Sequence, residues 1–187
     1  MFGYVGNGES DVAELRAGLK QACANDPSLS AVAAGCSAHN SGWGYVISAD
    51  NGLFHYRTEL PVFEDRHVLP RLEGGIYAIF HGRFATDPEL AGPIFSHPFV
   101  AATPSETLFL AHNGSVDAPN LAERNVDSEW ALEQVVRAGS LERALPLLKQ
   151  HTRFGAESFG DAHQSRPRQP RSNPVRQLLR LQGAAKN

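Results

Sequence analysis

Two short apolar runs, residues 76–80 and 107–111, constrain the fold most, because polar side chains are almost absent from both. A strand with one face in water alternates apolar and polar residues, whereas a strand covered on both faces is apolar nearly throughout. The two runs therefore predict buried strands. Each leads directly into a polar phrase, His-Gly-Arg-Phe-Ala-Thr at 81–86 and His-Asn-Gly at 112–114. Polar groups at strand ends lie where loops converge on ligands, so we expect a binding site there.

Other local patterns predict further strands and three helices. Residues 2–5 are apolar and end at a glycine-rich turn, and Asp50-Asn51-Gly52 separates two alternating runs, which predicts a hairpin. Apolar residues at helical spacing predict amphipathic helices at about 10–24, 128–139 and 140–150. Asp11 and Glu14 suggest a capping box for the first helix. The proline-rich residues 81–106 between the buried runs are predicted to form a loop outside the strand ends.

Length and composition favour one domain without a nucleic-acid or membrane partner. A chain of 187 residues with 42% hydrophobic residues can bury one sizeable core, which we place at residues 1–155. Its net charge of -3 provides no basic field for nucleic acid, and no stretch reaches the length of a membrane span. Two poorly spaced cysteines, Cys23 and Cys36, suit a reducing, cytoplasmic compartment. The composition of residues 156–187 predicts a disordered, basic Arg/Pro-rich tail. The one apolar feature in it is a short stripe at Val175, Leu178 and Leu179.

The polar phrases contain residue types suited to hydrolysis of a carboxamide. Arg83 offers a planar fork of donors for a carboxylate, although a structural ion pair would also explain it. Asn113 and Gly114 can direct a side-chain amide and an unobstructed backbone N–H at one oxygen, as an oxyanion hole requires, or form an ordinary turn. Asp127 precedes a predicted helix, so it either caps the first turn or holds an ammonium group.

A metal site is the main alternative chemistry. His39, His81, His97 and His112 follow or precede predicted loops, and converging imidazoles bind zinc. Their spacing matches no metal signature, and each lies in a phrase with another explanation. We therefore expect no metal and no cofactor, and a metal-dependent hydrolase remains the less favoured alternative.

In their order along the chain, these phrases resemble the class II glutamine amidotransferases, whose N-terminal cysteine releases ammonia from glutamine through a thioester. The resemblance covers residues 2–148 and implies an α+β fold, a four-layer αββα sandwich of two largely antiparallel sheets between helices. It implies that Asn113 and Gly114 form the oxyanion hole. It further implies that Arg83 holds the glutamine α-carboxylate with Thr86 close by, that Asp127 receives the α-amino group, and that His112 belongs to the same substrate-binding set.

The resemblance also assigns supporting roles and marks two departures. Residues 39–44 and the His97-Pro98-Phe99 segment correspond to structural supports in the family. Met1 is followed by Phe2 where related chains begin Met-Cys-Arg, so we expect this form to lack the nucleophile and not to hydrolyse glutamine. We also expect the domain to be incomplete at its C-terminal end. The alternative from another class is a non-catalytic glutamine- or amino-acid-binding relative, and an ammonia-accepting partner is left open.

Overall fold

The computed structural model describes residues 1–31, 33–104, 106–117 and 126–151, and the backbone of 178–182. The chain divides into two compact units, Met1–Phe99 and Val100–Asn187. Each unit contains one antiparallel sheet, and helices occur in both. The predicted α+β class is therefore confirmed, and the four-layer arrangement stays a prediction. Among the described residues, no helix has the length and apolar character needed to cross a membrane.

The first unit is a four-stranded sheet with one long helix. Its strands lie in the spatial order β1 (Phe2–Gly6), β4 (Ile76–Gly82), β2 (Trp43–Ala49) and β3 (Gly52–Thr58), and its helix is α1 (Glu9–Ala24). The predicted hairpin is present, since Ala49 pairs with Gly52 across a two-residue loop. The positive φ of 153° at Gly52 explains why glycine suits this turn.

One face of this sheet and one face of α1 form the core of the first unit. Burial of apolar surface drives this packing, because the alternate residues of β2 and β4 point to the same side. The buried cluster contains Val12, Leu19 and Cys23 from the helix, and Trp43, Tyr45, Ile47, Ile76, Ala78 and Phe80 from the strands. The other face of β2 and β4 is also buried at Val46 and Ile79, as the apolar run at 76–80 predicts.

A polar network around Asp65 fastens the irregular residues 59–75 to this core. The segment turns once, since the N–H of Asp65 donates to the Pro61 carbonyl, and then continues without regular structure. The Asp65 carboxylate accepts from Trp43 Nε1, from the Tyr56 hydroxyl and from the His67 N–H, each at 2.8 Å. Desolvation raises the pKa of Asp65, but these hydrogen bonds outweigh it and hold the pKa below its usual value.

The start of α1 differs from the predicted capping box. Gly8 occupies the N-cap position without a side-chain cap, and Asp11 lies inside the helix. The Tyr4 hydroxyl instead accepts from the Gly8 N–H at 3.0 Å and donates to Asp11 Oδ2 at 2.9 Å. The prediction was wrong because a side chain from the preceding strand supplies the contact that local sequence assigned to the helix itself.

The second unit combines a three-stranded sheet with two helices. Strands β5 (Phe99–Ala102), β6 (Glu106–Leu110) and β7 (Leu178–Gln182) lie in that order, and α2 (Asp127–Ala138) contacts β6 and α3 (Leu141–His151). The prediction of a continuous loop before β6 was wrong for β5, which fits between two prolines. Leu178–Gln182 pairs with β6, and the remainder of the predicted tail lies outside the described residues.

Candidate functional site

Arg83 extends the sheet of the first unit past the end of β4. Its N–H donates to the Gly42 carbonyl at 2.8 Å, and its own carbonyl accepts from the Ser41 N–H at 3.1 Å. The Ser41 hydroxyl then accepts from the Ala85 N–H at 3.0 Å, which fixes the chain beyond Arg83. The Arg83 side chain is buried, and its Nη1 donates to the Leu90 carbonyl at 2.7 Å. The Arg83 backbone is thus fixed by residues 41 and 42, and its guanidinium is oriented by the Leu90 carbonyl.

Two glycines at the start of β2, Gly42 and Gly44, allow this strand and the segment around His97 to approach closely. Gly42 has a φ of 110°, and a Cβ there would collide with the Ser96 hydroxyl oxygen. A Cβ on Gly44 would collide with the His97 carbonyl oxygen. Side chains larger than hydrogen are therefore excluded at both positions. The Gly-Trp-Gly pattern at residues 42–44 is explained by this packing, whatever the function.

Two of the histidines predicted as alternative metal ligands lie close together, and a third contacts a carboxylate elsewhere in the first unit. His81 and His97 are both buried with ring centroids 4.2 Å apart, and a cis peptide bond joins His97 to Pro98. His39 Nε2 lies 2.9 Å from Asp26 Oδ2, in a separate pair. The described residues contain no group of three or more His, Cys, Asp or Glu positioned to hold a metal ion. The described residues therefore provide no ligand set for a metal-dependent hydrolase.

Thr86 lies three residues beyond Arg83 and is exposed. The following Asp87 caps the short 3₁₀ turn Pro88–Leu90, because its side chain accepts from the Glu89 N–H at 3.0 Å. Since this turn also supplies the carbonyl that binds Arg83, Thr86 and Arg83 belong to one ordered loop. Arg83 and Thr86 therefore lie together in the first unit.

Asn113 and Gly114 immediately follow the buried end of β6. Leu108, Phe109, Leu110 and Ala111 are all buried, whereas Asn113 and Gly114 are exposed. Gly114 has a φ of 131°, a conformation that L-residues with a Cβ rarely adopt. The pair therefore lies at the surface beyond a buried strand, as expected for a loop that binds a ligand.

Asp127 lies next to this loop. It is the first residue of α2, and Val126 occupies the N-cap without a side-chain cap, so the helix-capping alternative is wrong. Its Oδ2 instead accepts from the Val116 N–H at 2.7 Å, two residues beyond Gly114. The carboxylate also lies at the N-terminal end of α2, where the backbone N–H groups point towards it. The structure thus joins two phrases that are separated by twelve residues in the sequence.

His112 lies beneath the same loop and is almost completely buried. Its Nδ1 is 3.3 Å from the hydroxyl of Ser128, the second residue of α2. Desolvation by burial lowers the pKa of His112, with the nearby Asp127 carboxylate acting in the opposite direction. The imidazole is therefore neutral at neutral pH. No role was predicted for Ser128, because serine is common at helix starts whatever the function.

The two cysteines differ in accessibility, and neither is in a disulfide. Cys23 is buried in the last turn of α1, where its Sγ packs against the backbone of Gly82. Burial raises the pKa of its thiol, and the Met1 α-amine acts in the opposite direction. A buried thiol with a raised pKa is a poor nucleophile. Cys36 is partly exposed in the irregular segment after α1.

Comparison of the chain with protein-family models, with curated proteins and with solved structures found no match.

Proposed function

We propose that this protein is a glutamine-binding domain of the class II amidotransferase type, the family that releases ammonia from glutamine. Asn113 and Gly114 are the proposed oxyanion donors. Asp127 is the proposed partner of the α-ammonium group, with His112 in the same substrate-binding set. Arg83 and Thr86 are the proposed partners of the α-carboxylate.

The observation that carries the proposal is the hydrogen bond between the Val116 N–H and Asp127 Oδ2. It brings a carboxyl group to the loop that bears an exposed asparagine and a positive-φ glycine. Each carboxylate oxygen has two lone pairs, so Asp127 retains acceptor capacity for an ammonium group. The loop thus offers two donors for the carboxamide oxygen of glutamine and, beside them, an acceptor for its α-ammonium group.

Arg83 supports the proposal through its burial and its anchored position. A guanidinium has five N–H donors, and the bond from Nη1 to the Leu90 carbonyl orients the group. A fixed planar fork matches a carboxylate bidentately, which a flexible lysine does not reproduce. This chemistry suits the α-carboxylate of the ligand.

A non-catalytic amino-acid-binding protein is the second candidate. The burial of Cys23 favours it, because that thiol is only 4% exposed and its pKa is raised. This candidate uses the same recognition residues and differs in having no nucleophile. We further propose a cytoplasmic location, which the two free cysteines support, and glutamine as the ligand.

The test compares glutamine with glutaramic acid, which has the same carboxamide and carboxylate but no α-amine. Calorimetric titration should show that Asp127→Asn weakens glutamine binding by roughly 10- to 100-fold, the range for one charge-assisted contact. The variant should bind glutaramic acid as the wild type does, because the lost partner is absent from that ligand. Equal glutamine affinity in wild type and Asp127→Asn would contradict the assignment, and absence of glutamine binding by the folded wild type would contradict the proposed function.

A further inference from the structure

His112 has a buried ring nitrogen without a hydrogen-bond partner in the part of the chain that the structure describes. Its Nδ1 contacts Ser128 Oγ at 3.3 Å, whereas Nε2 is buried and unpartnered. His112 itself is only 4% exposed. An unsatisfied buried polar atom costs stability and therefore calls for a physical explanation.

The hydroxyl of Ser128 determines which nitrogen of His112 carries the proton. Ser128 Oγ donates to Asp127 Oδ1 at 3.3 Å, and a hydroxyl has a single hydrogen to give. The Ser128 oxygen must then accept the hydrogen bond from His112, so Nδ1 is protonated. Because the imidazole is neutral, Nε2 carries a lone pair.

The Nε2 edge of the His112 ring lies next to Gly114. A Cβ built on Gly114 would be 3.2 Å from His112 Nε2 and 3.7 Å from Cε1. The backbone of Gly114 therefore packs on the imidazole. An acceptor atom repels a carbonyl oxygen and attracts an N–H group, so the tautomer of His112 limits the peptide orientations open to Gly114.

We propose that Asp127, Ser128 and His112 form a hydrogen-bonded relay that fixes the Nδ1–H tautomer of His112 and thereby positions the backbone of Gly114. The relay rests on the proposed function in one respect, since the group it positions is the proposed oxyanion donor. Ser128 and His112 act as positioning residues. One oxygen of the Asp127 carboxylate accepts from the Ser128 hydroxyl, and the other accepts from the Val116 N–H. The same side chain therefore holds both the relay and the backbone that follows Gly114.

The first measurement is ¹⁵N NMR of the histidine side chains in the full chain, with His112 assigned through His112→Gln. The wild type should carry its proton on Nδ1. Ser128→Ala should move the proton to Nε2, because Nδ1 loses its acceptor, and Ser128→Thr should restore Nδ1–H because it keeps the hydroxyl. Protonation of Nε2 in the wild type, or an unchanged tautomer in Ser128→Ala, would overturn the relay.

Val135→Ala is the matched control, because Val135 is completely buried in the same helix. It should lower stability while leaving the His112 tautomer and the Gly114 amide resonance unchanged. Ser128→Ala should shift the Gly114 amide resonance. An equal shift of this resonance in Ser128→Ala and Val135→Ala would indicate a structural role only and would overturn the positioning role.

Glutamine titration separates this inference from the proposed function. Ser128→Ala should bind glutamine nearly as well as the wild type, because the group that the relay positions acts mainly on the tetrahedral intermediate. A wild type that binds no glutamine contradicts the proposed function, while its His112 tautomer still decides the relay. A wild type that binds glutamine with Nε2 protonated contradicts the relay and leaves the proposed function standing.

Discussion

Replacing Asp65 by alanine should strongly destabilise the first unit. Asp65 is 6% exposed and accepts hydrogen bonds from Trp43, Tyr56 and His67. Its removal leaves the indole N–H of the completely buried Trp43 without its acceptor. It also removes a negative charge near Arg16, whose guanidinium lies 5.1 Å from the centre of the Trp43 ring.

The magnitude follows from these contacts. A hydrogen bond to a charged group contributes roughly 1.5–3 kcal/mol, so three such bonds give a gross term of roughly 4.5–9 kcal/mol. Desolvation of the carboxylate offsets several kcal/mol of this sum. The net loss in the free energy of unfolding should be about 3–5 kcal/mol, as for other buried charges whose networks are broken. Asp65→Asn keeps an acceptor oxygen and should lose about half as much.

Urea denaturation followed by tryptophan fluorescence measures this loss. A Trp130→Phe background leaves Trp43 as the reporter, so the signal comes from the first unit. The folded pKa of Asp65 is depressed, so its contribution is present above pH 3.8, the ordinary carboxyl value, and is lost as the pH falls through the folded value. The difference between wild type and Asp65→Ala should therefore shrink in acid. A loss below about 1 kcal/mol at neutral pH would refute this reasoning.

Three further predictions follow from other contacts. Gly44→Ala should destabilise the protein by about 3 kcal/mol or more, because its Cβ meets the His97 carbonyl; Gly18→Ala, in an open helical position, should instead stabilise by roughly 0.5–1 kcal/mol in the same urea assay. Equal effects of the two substitutions would contradict the packing argument. Desolvation lowers the pKa values of His55, His67 and His112 below 6.5, so the unfolded state binds more protons and stability should fall as the pH decreases from 6.5 towards the folded values. A urea midpoint at pH 5.5 equal to or above that at pH 7.5 would contradict this sign. Iodoacetamide should alkylate Cys36 quickly and Cys23 only upon unfolding, because Cys23 is 4% exposed. Equal alkylation rates of the two thiols in the native protein, measured by mass spectrometry, would contradict this prediction.

Local patterns predicted most of the regular structure. The apolar run at 76–80 predicted β4, the Asp50-Asn51-Gly52 turn predicted the hairpin, and the helical spacing at 128–139 predicted α2, which ends at Gly139 in the left-handed conformation. These features depend on neighbouring residues, whose spacing the sequence displays directly. The α+β class followed from the same elements.

Contacts between distant residues were not predictable in this way. The Tyr4 hydroxyl at the start of α1 and the Asp65 network both join residues that no periodic pattern relates. Strand β5 was missed because prolines on both sides favour a loop. The short apolar stripe at 178 and 179 was too brief to indicate β7 within a polar segment.

The candidate site was predicted as residue types and not as geometry. Asn113, Gly114 and Asp127 were chosen for their chemistry, but the bond from Val116 that brings Asp127 to the loop requires the tertiary structure. The role of Ser128 follows from the positions of two neighbouring polar groups, which the sequence does not reveal. A contact of this kind is visible only after the fold brings the segments together.

Calorimetric titration of the wild type and Arg83→Lys with glutamine tests the proposed function most directly. The wild type should bind glutamine, and Arg83→Lys should bind it roughly 10- to 100-fold more weakly, because a point charge does not replace the bidentate fork. Asn113→Ala should bind nearly as well as the wild type, since oxyanion donors act mainly on the tetrahedral intermediate. Equal glutamine affinity in wild type and Arg83→Lys would contradict the role of Arg83 in the proposed site.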